Sequence, residues 1–401
     1  DLYNMNTGPK LTNNNLVFGY DTGYGVADNG TSTRFYPGEP TTNLQSSNQT
    51  SGQIAGMQGV GLSYVGEEDG YSKYSMTGTF SAGTYPYCMY LPGVSFSGGT
   101  AYSTQVELKT NVPNKFNYIG GGINYVNQPQ NSAGTNSSVL QSDGFYYIRR
   151  EGFNYVSTTT QSGYIHSNPV NNTTFNSSTD FIYVKHFQIE QNTHSTPWTA
   201  TSRSDTASLI DLKKTTDIDV SNIGFDSTGQ PEFDGTDDYF TTSGLSGINS
   251  GVLTFEKVIR FNGSLDTNDR KVFHWDKTGT TNGVAQVRKG SGNSILMYQH
   301  HNGSQWYTLS VDNVVVADTF MHIVVVHDGT TATMYKNGIQ VGTATVGILN
   351  YTDAAEILLG YRANSEYWKG NIPVFKVYDQ ALTLTEVVSN FNAYKNRFDI
   401  Q

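Results

Sequence analysis

Leu16-Val17-Phe18-Gly19-Tyr20-Asp21-Thr22-Gly23 reads as an opening strand that breaks off, and its continuation stands far downstream. The text resumes at Leu209-Ile210-Asp211-Leu212 and then at Phe233-Asp234-Gly235-Thr236-Asp237-Asp238-Tyr239-Phe240. Between them lies a long stretch with its own start and close. The reading is one β-sandwich, residues 16–37 plus 204–401, split by a second one inserted at residues 38–203, after a polar arm at residues 1–15. Insertion is physically reasonable because strand ends at a rim tolerate added chain and domain termini often lie close together. A linear order, with the N-terminal piece outside both domains, is the alternative.

Composition agrees with an all-β chain. Of 401 residues, 36% are apolar, 14% are charged, and 27 Tyr with 20 Phe can supply a core. The rest of the surface is Asn, Ser, Thr and Gly, the make-up of turn-rich β proteins. A net charge of −10, with no basic cluster beyond pairs such as Arg149-Arg150, argues against nucleic-acid binding and against docking on anionic membranes. No apolar run reaches the ~20 residues of a membrane span. Cys88 is the single cysteine, so an intramolecular disulfide is impossible; it reads as a small buried hydrophobe.

Period-two patterns mark the strands. Residues 181–190 would place Ile182, Val184, His186, Gln188 and Glu190 on one face. Residues 252–261 put Leu253, Phe255, Ile259 and Phe261 together, with Lys257 breaking that face at an expected sheet edge. Asn337-Gly338 between alternating segments predicts a type I′ hairpin. Pro373 places residues 372–379 in a strand, at its start or on an edge. Thr383-Leu384-Thr385-Glu386 fits a capping box, and Leu384, Val387, Val388, Phe391 and Tyr394 follow at helical spacing, so a helix is expected over residues 383–395, with Phe398 docking beyond it. The Asn/Ser-rich pieces 127–138 and 168–178 read as exposed loops.

Three groups of segments resemble the laminin-G-like, concanavalin-A-like domains of tailed-phage virion proteins. They are the opening strand 15–21, the Glu232–Tyr239 piece "EFDGTDDY", and the series Met334–Gly338, Leu358–Tyr361, Gly370–Leu382 and Asn390–Ala393. The close of the insert, Phe187-Gln188-Ile189-Glu190 through Thr196-Pro197-Trp198, is similar to that of carbohydrate-binding-like jelly rolls in phage tail and fibre proteins. The resemblance implies two antiparallel β-sandwiches (jelly rolls), the outer one concanavalin-A/laminin-G-like with a short C-terminal helix. It also implies a virion surface protein, a tail or neck fibre or a capsid decoration. Its partners would be other virion proteins and host cell-surface glycans, and it would act as a homo-oligomer outside the cell.

Little in the sequence points to catalysis. Family 16 glycoside hydrolases of this fold carry Glu-x-Asp-x-x-Glu on one strand, which gathers the carboxylates on one face. Glu67-Glu68-Asp69-Gly70 has the wrong spacing and reads as an acidic turn. The histidines lack zinc spacing; His322 and His327 fall on opposite faces of a strand, one at core or rim and one solvated. The expectation is therefore no enzyme and no cofactor, with polysaccharide hydrolysis or cellular adhesion as alternatives. Asp234, Asp237 and Asp238 read as a turn, or as a calcium site, since hard oxygen ligands gather in such loops. For sugars, the candidate platforms are Trp275, Tyr298, Trp306-Tyr307 and Tyr367-Trp368; core packing is the competing reading for each.

Overall fold

In the computed structural model the opening strand Leu16–Asp21 pairs antiparallel with Lys369–Tyr378, near the other end of the chain. Asp211 ties the returning chain to it. Its buried carboxylate accepts the N–H groups of Gly19, Lys213 and Thr215, each at 3.1 Å, while the Leu212 N–H donates to the Gly19 carbonyl at 2.7 Å. The chain forms two compact units, Asp1–Glu39 with Asp205–Gln401, and Pro40–Ser204. The structure describes residues 11–22, 39–44, 61–80, 87–125, 130–199, 201–205, 208–213, 215–226, 228–242, 244–246, 248, 251–276, 283–290, 294–302, 304–349, 353–354, 356–361 and 366–401. Most of the expected polar arm and the side chain of Cys88 lie outside these residues.

Among the described residues the first unit has, besides the two-stranded pair of Leu245–Ser246 with Asp353–Ala354, two large antiparallel sheets. One contains Gly224–Phe225, Pro231–Asp234, Lys369–Tyr378, Val252–Phe261, Met321–Asp328, Thr331–Lys336 and Ile339–Thr345, plus the opening strand. The other contains Ile218–Asp219, Phe240–Thr242, Glu356–Leu359, Arg270–Asp276, Gly283–Lys289, Ile295–His301 and Trp306–Val311. Alternation sends Leu253, Phe255, Ile259 and Phe261 into the core between them, against Phe273, Trp275, Tyr298 and Phe375. Asn337 and Gly338 have φ of 52° and 77°, the two positive values that a type I′ turn requires.

Two edge assignments are overturned. Lys257 lies in a strand paired on both sides, fully buried, with its ammonium 5.1 Å from the Phe273 ring centroid. Burial pushes its pKa well below the usual lysine value. Pro373 also sits within a central strand. Along the neighbouring edge, Asn371 pairs with Glu232 and Val374 with Asp21, so Pro373 stands where one short partner hands over to the next. Its missing N–H costs no ladder bond there, and its carbonyl still accepts the Thr22 N–H at 3.1 Å.

The helix Leu384–Lys395 starts at Thr383 with both halves of the capping box formed. It lies on the outer face of the first sheet. Val387, Asn390 and Tyr394 are buried and Phe398 docks beyond, whereas Leu384 and Val388 of the expected stripe point outward. Under the helix is a polar network. Glu256 accepts from His322 Nε2 (2.8 Å), Tyr378 Oη (2.5 Å) and Asn390 Nδ2 (3.1 Å). His322 and His327 are both fully buried, which corrects the expectation of one solvated histidine: His322 is sealed by the helix, and His327 is held in the core by Tyr298 Oη at 2.9 Å and the Gly347 carbonyl at 2.9 Å.

In the second unit the strands Thr174–Phe175, Tyr71–Thr79, Phe181–Glu190, Tyr102–Thr110, Tyr146–Tyr155 and Gln130–Leu140 form the main sheet, with Gly61–Glu68 beside Tyr71–Thr79. Its inner face packs with residues of Tyr87–Phe96, Thr159–His166 and Ile123–Tyr125. Gln130–Leu140 corrects the loop expected at 127–138. This edge strand buries almost no side chain and is held by pairing to Tyr146–Tyr155, so it leaves no apolar period in the sequence. The alternation expected over 181–190 also fails. His186 has φ of 54°, and the register shifts between Lys185 and Gln188, a bulge that changes parity. Ile182 and Val184 therefore share the core face with Phe187 and Ile189. The close of this unit is a clasp: buried Glu190 accepts from Gln188 Nε2 (2.9 Å), Thr196 N (2.8 Å), Thr196 Oγ1 (2.7 Å) and Thr41 Oγ1 (2.7 Å).

Candidate functional site

The sequence-derived aromatic platforms part company in the structure. Trp275, Tyr298 and Trp368 are fully buried, which removes them as stacking surfaces. Trp275 and Tyr298 pack on Phe255 at 5.6 and 6.1 Å, and Trp368 on Phe261 at 5.6 Å. Trp275 and Tyr298 lie in strands whose alternation turns these large rings inward, and Trp368 enters the core just before the strand Lys369–Tyr378; each ring excludes much water there. Trp306 is 38% exposed at the end of the 295–311 hairpin, edge-on to His301 at 5.1 Å. Extended chain faces opposite ways at successive residues, so Tyr367 is half-exposed beside the buried Trp368.

Tyr367 belongs to a ladder. Its ring stacks on Tyr361 at 4.6 Å and 21°, and Tyr361 meets Tyr239 at 5.3 Å and 38°. All three are half-exposed. The acidic turn lies alongside: Tyr239 follows it directly, and the negative charge of Asp237 helps raise the pKa of Tyr367, after burial and the Tyr361 hydroxyl. One guanidinium fixes turn and ladder together. Arg270 Nη1 donates to the Gly235 carbonyl at 2.6 Å and to the Tyr367 carbonyl at 2.9 Å, while its other side holds Asp266. Gly360, with φ of 80°, lets the chain pass close to Phe233 just before Tyr361. Sequence reasoning named Tyr367 but missed Tyr239 and Tyr361. Each is the last residue of a segment used to recognise the fold, and only pairing of Phe240–Thr242 with Glu356–Leu359 brings them together.

In the turn, the side chains of Asp234, Asp237 and Asp238 offer carboxylate oxygens within 4.8 Å of one another. Much of this oxygen closes the turn itself. Asp234 Oδ1 accepts Thr236 N (2.7 Å) and Asp237 N (3.3 Å), and Asp238 Oδ2 accepts Asp234 N (2.7 Å). The hard oxygen donors suit calcium in kind, but three carboxylates fall short of its usual six to eight ligands. The proton affinities are opposed. Burial raises the pKa of Asp238, helped by the neighbouring acids. For Asp234, burial is outweighed by hydrogen bonds from Thr236, Asp237 and Asp238, and the pKa falls.

Several other titratable groups are committed within the structure. Glu67 accepts from Tyr64 and Ser72 and Glu68 pairs with Lys73, at a hairpin whose Asp69 and Gly70 have φ of 53° and 79°. Burial holds His300 neutral, its pKa lowered to about 3, stacked on Tyr307 at 5.7 Å. Glu256 and His322 form an acid–base pair without access to solvent.

Residues 234–388 match the laminin G family described as the concanavalin A-like lectin/glucanases superfamily, and the first unit has this concanavalin A-like fold. No curated protein sequence matches the chain. Among solved structures, the chain is similar to the botulinum neurotoxin serotype D binding domain, with 10% identity, a TM-score of 0.39, and 48% of this chain and 49% of that one covered. The botulinum neurotoxin type G receptor binding domain follows at 14% identity and TM-score 0.36, with 47% and 49% covered. The serotype D ligand binding domain in complex with N-acetylneuraminic acid has 12% identity and TM-score 0.39, with 48% and 49% covered. The chain thus spans about half the length of these structures, and similarity of this degree carries no argument about what it binds.

Proposed function

We propose that this chain is a non-enzymatic glycan-binding surface protein and that its first unit contacts sugar at the Tyr239–Tyr361–Tyr367 ladder. The observation that carries the reading is a half-exposed aromatic stack beside three carboxylates, locked by Arg270. Sugar rings present apolar C–H faces that lie on such rings, while their hydroxyls donate to carboxylates. The test is a glycan microarray with the whole chain and its Tyr361→Ala/Tyr367→Ala variant. Selective binding lost in the variant supports the reading; no binding to any glycan contradicts it.

The setting we propose, from resemblance in the sequence, is the virion surface of a tailed phage, as a fibre or capsid-decoration component that attaches to host glycans. A homo-oligomer would raise millimolar single-site affinity by orders of magnitude through effective concentration. Immunogold labelling of intact particles with an antibody to residues 204–401 tests this: label on fibres or capsid is expected, and unlabelled particles would overturn it.

A second reading, polysaccharide hydrolysis, has one observation in its favour. Asp234 and Asp238 are neighbouring carboxylates with opposed pKa shifts, the pattern of an acid and its partner in glycosidases. Release of reducing ends from capsule or exopolysaccharide, abolished by Asp238→Asn, would favour it over binding alone.

A further inference from the structure

The sealing helix stops before the sheet does. Beyond its last turn, a cleft of about 600 Å³ opens on the outer face of the first sheet, between Thr228–Gln230, Asp318–Phe320 and Asn396–Gln401. Its floor is two aromatic rings, Phe320 and Phe398, 5.2 Å apart. Each carries a guanidinium: Arg260 stands 5.7 Å from the Phe320 centroid and Arg397 4.2 Å from that of Phe398. Arg397 is fixed by Asp21 at 2.6 Å. Arg260 is not spent. It makes no hydrogen bond among the described residues, its Nε is buried without a partner, and its one ion pair is a loose one, to the exposed Asp318 carboxylate at 3.8 Å.

We infer that this cleft is a second binding site, for a sugar carrying a single carboxylate, such as a uronic acid. Arg260 presents a planar fork already oriented by Phe320, which matches a carboxylate bidentately. The two phenyl rings offer an apolar wall to the sugar ring. Asp318 and Asp399, on the rim, are acceptors for its hydroxyls. These same carboxylates offset the two guanidinia, so a densely charged polyanion meets repulsion where a monoanion rich in hydroxyls meets partners. The site extends the glycan-binding reading to another surface and shares no residue with the tyrosine ladder.

The test titrates D-glucuronate and D-galacturonate, with D-glucose and D-galactose as neutral controls, into the whole chain by NMR or calorimetry. Millimolar, saturable binding of the uronates is expected, with the neutral sugars at least tenfold weaker. Arg260→Gln should weaken uronate binding at least tenfold, and Tyr361→Ala/Tyr367→Ala should leave it unchanged. If Arg260→Gln does not fold, Arg260→Lys keeps the charge but loses the fork and should weaken binding severalfold. Absence of uronate binding in the native chain, or binding indifferent to Arg260, overturns the inference. Loss through the tyrosine variant instead would place the sugar at the ladder and leave the glycan reading standing.

Discussion

The two units treat the outer face of their main sheet in opposite ways. In the first, the helix Leu384–Lys395 seals it, and the groups beneath are committed to one another: Glu256, His322, Tyr378 and Asn390. In the second, no α-helix covers the face among the described residues. Lysines roof it instead. Lys109 lies 4.5 Å from the Phe145 centroid and 4.9 Å from that of Tyr71, and Lys185 lies 4.1 Å from Phe145 while bridging Glu107 and Asp143. The ammonium groups themselves lie over the rings, and that of Lys185, on a side chain 12% exposed, is shared between the two carboxylates. The lesson is that the same charged residue types are structural when a helix closes over them and adjustable when solvent does.

The largest expected break is in the sealed network. Removing the His322 ring strands the buried Glu256 carboxylate, and a buried charge that loses its partner costs about 3–5 kcal/mol, so His322→Ala should lower the urea midpoint of the first unit sharply. Fluorescence can follow it, because Trp275, Trp306 and Trp368 lie in that unit and Trp198 in the other. The same network has a pH signature. Burial alone would raise the pKa of Glu256, but His322, Lys376 and Tyr378 outweigh it and lower the value from 4.5 to about 2. A depressed carboxylate stabilises fully above its unfolded pKa, so this contribution is present above pH 4.5 and is lost as pH falls towards 2. Acid titration of the first unit's unfolding should therefore lose part of its slope in Glu256→Gln; an unaltered slope would place the titrating groups elsewhere.

The clasp of the second unit comes next. Glu190→Ala strands several buried donors and should cost roughly 2–3 kcal/mol, read from Trp198. Lys257 runs the other way. Its buried amine has no carboxylate hydrogen-bonded to it and only a long hydrogen bond, 3.5 Å, to the Phe255 carbonyl, so Lys257→Met should be neutral or raise stability by about 1–3 kcal/mol. Native Lys257 has a depressed pKa, so the unfolded chain binds the extra proton and its penalty shrinks as pH rises towards 10.5. Thr383→Ala removes the helix cap, worth about 1 kcal/mol. On the other face, Lys185→Ala leaves Glu107 and Asp143 within reach of solvent and should cost less than His322→Ala. A cost there equal to that of His322→Ala would erase the contrast between the faces.

These groups also mark what the sequence revealed. The hairpin at Asn337-Gly338 and the capping box at Thr383 were legible because local chemistry alone decides them. The core face of 252–261 was legible through its period. Gln130–Leu140 was invisible because backbone pairing holds it, and the His186 bulge because one positive φ reverses a face. Lys257 and the pair His322 and His327 misled because a titratable side chain usually signals solvent, and only the neighbouring strands and helix determine otherwise. At the candidate site, the acidic turn and Tyr367 were readable. Tyr239 and Tyr361 were not, since the ladder joins residues far apart in sequence, and Trp275 and Trp368 stood out only by their size.

The most direct measurement of the central claim is a calorimetric titration of a glycan selected on the array into three proteins: the native chain, Tyr367→Ala and Lys185→Ala. The account predicts that Tyr367→Ala weakens binding at least tenfold, a loss of about 1.4 kcal/mol or more, while Lys185→Ala binds as the native chain does. Full affinity in Tyr367→Ala, with loss in Lys185→Ala, would contradict it and move sugar recognition to the open face of the second unit.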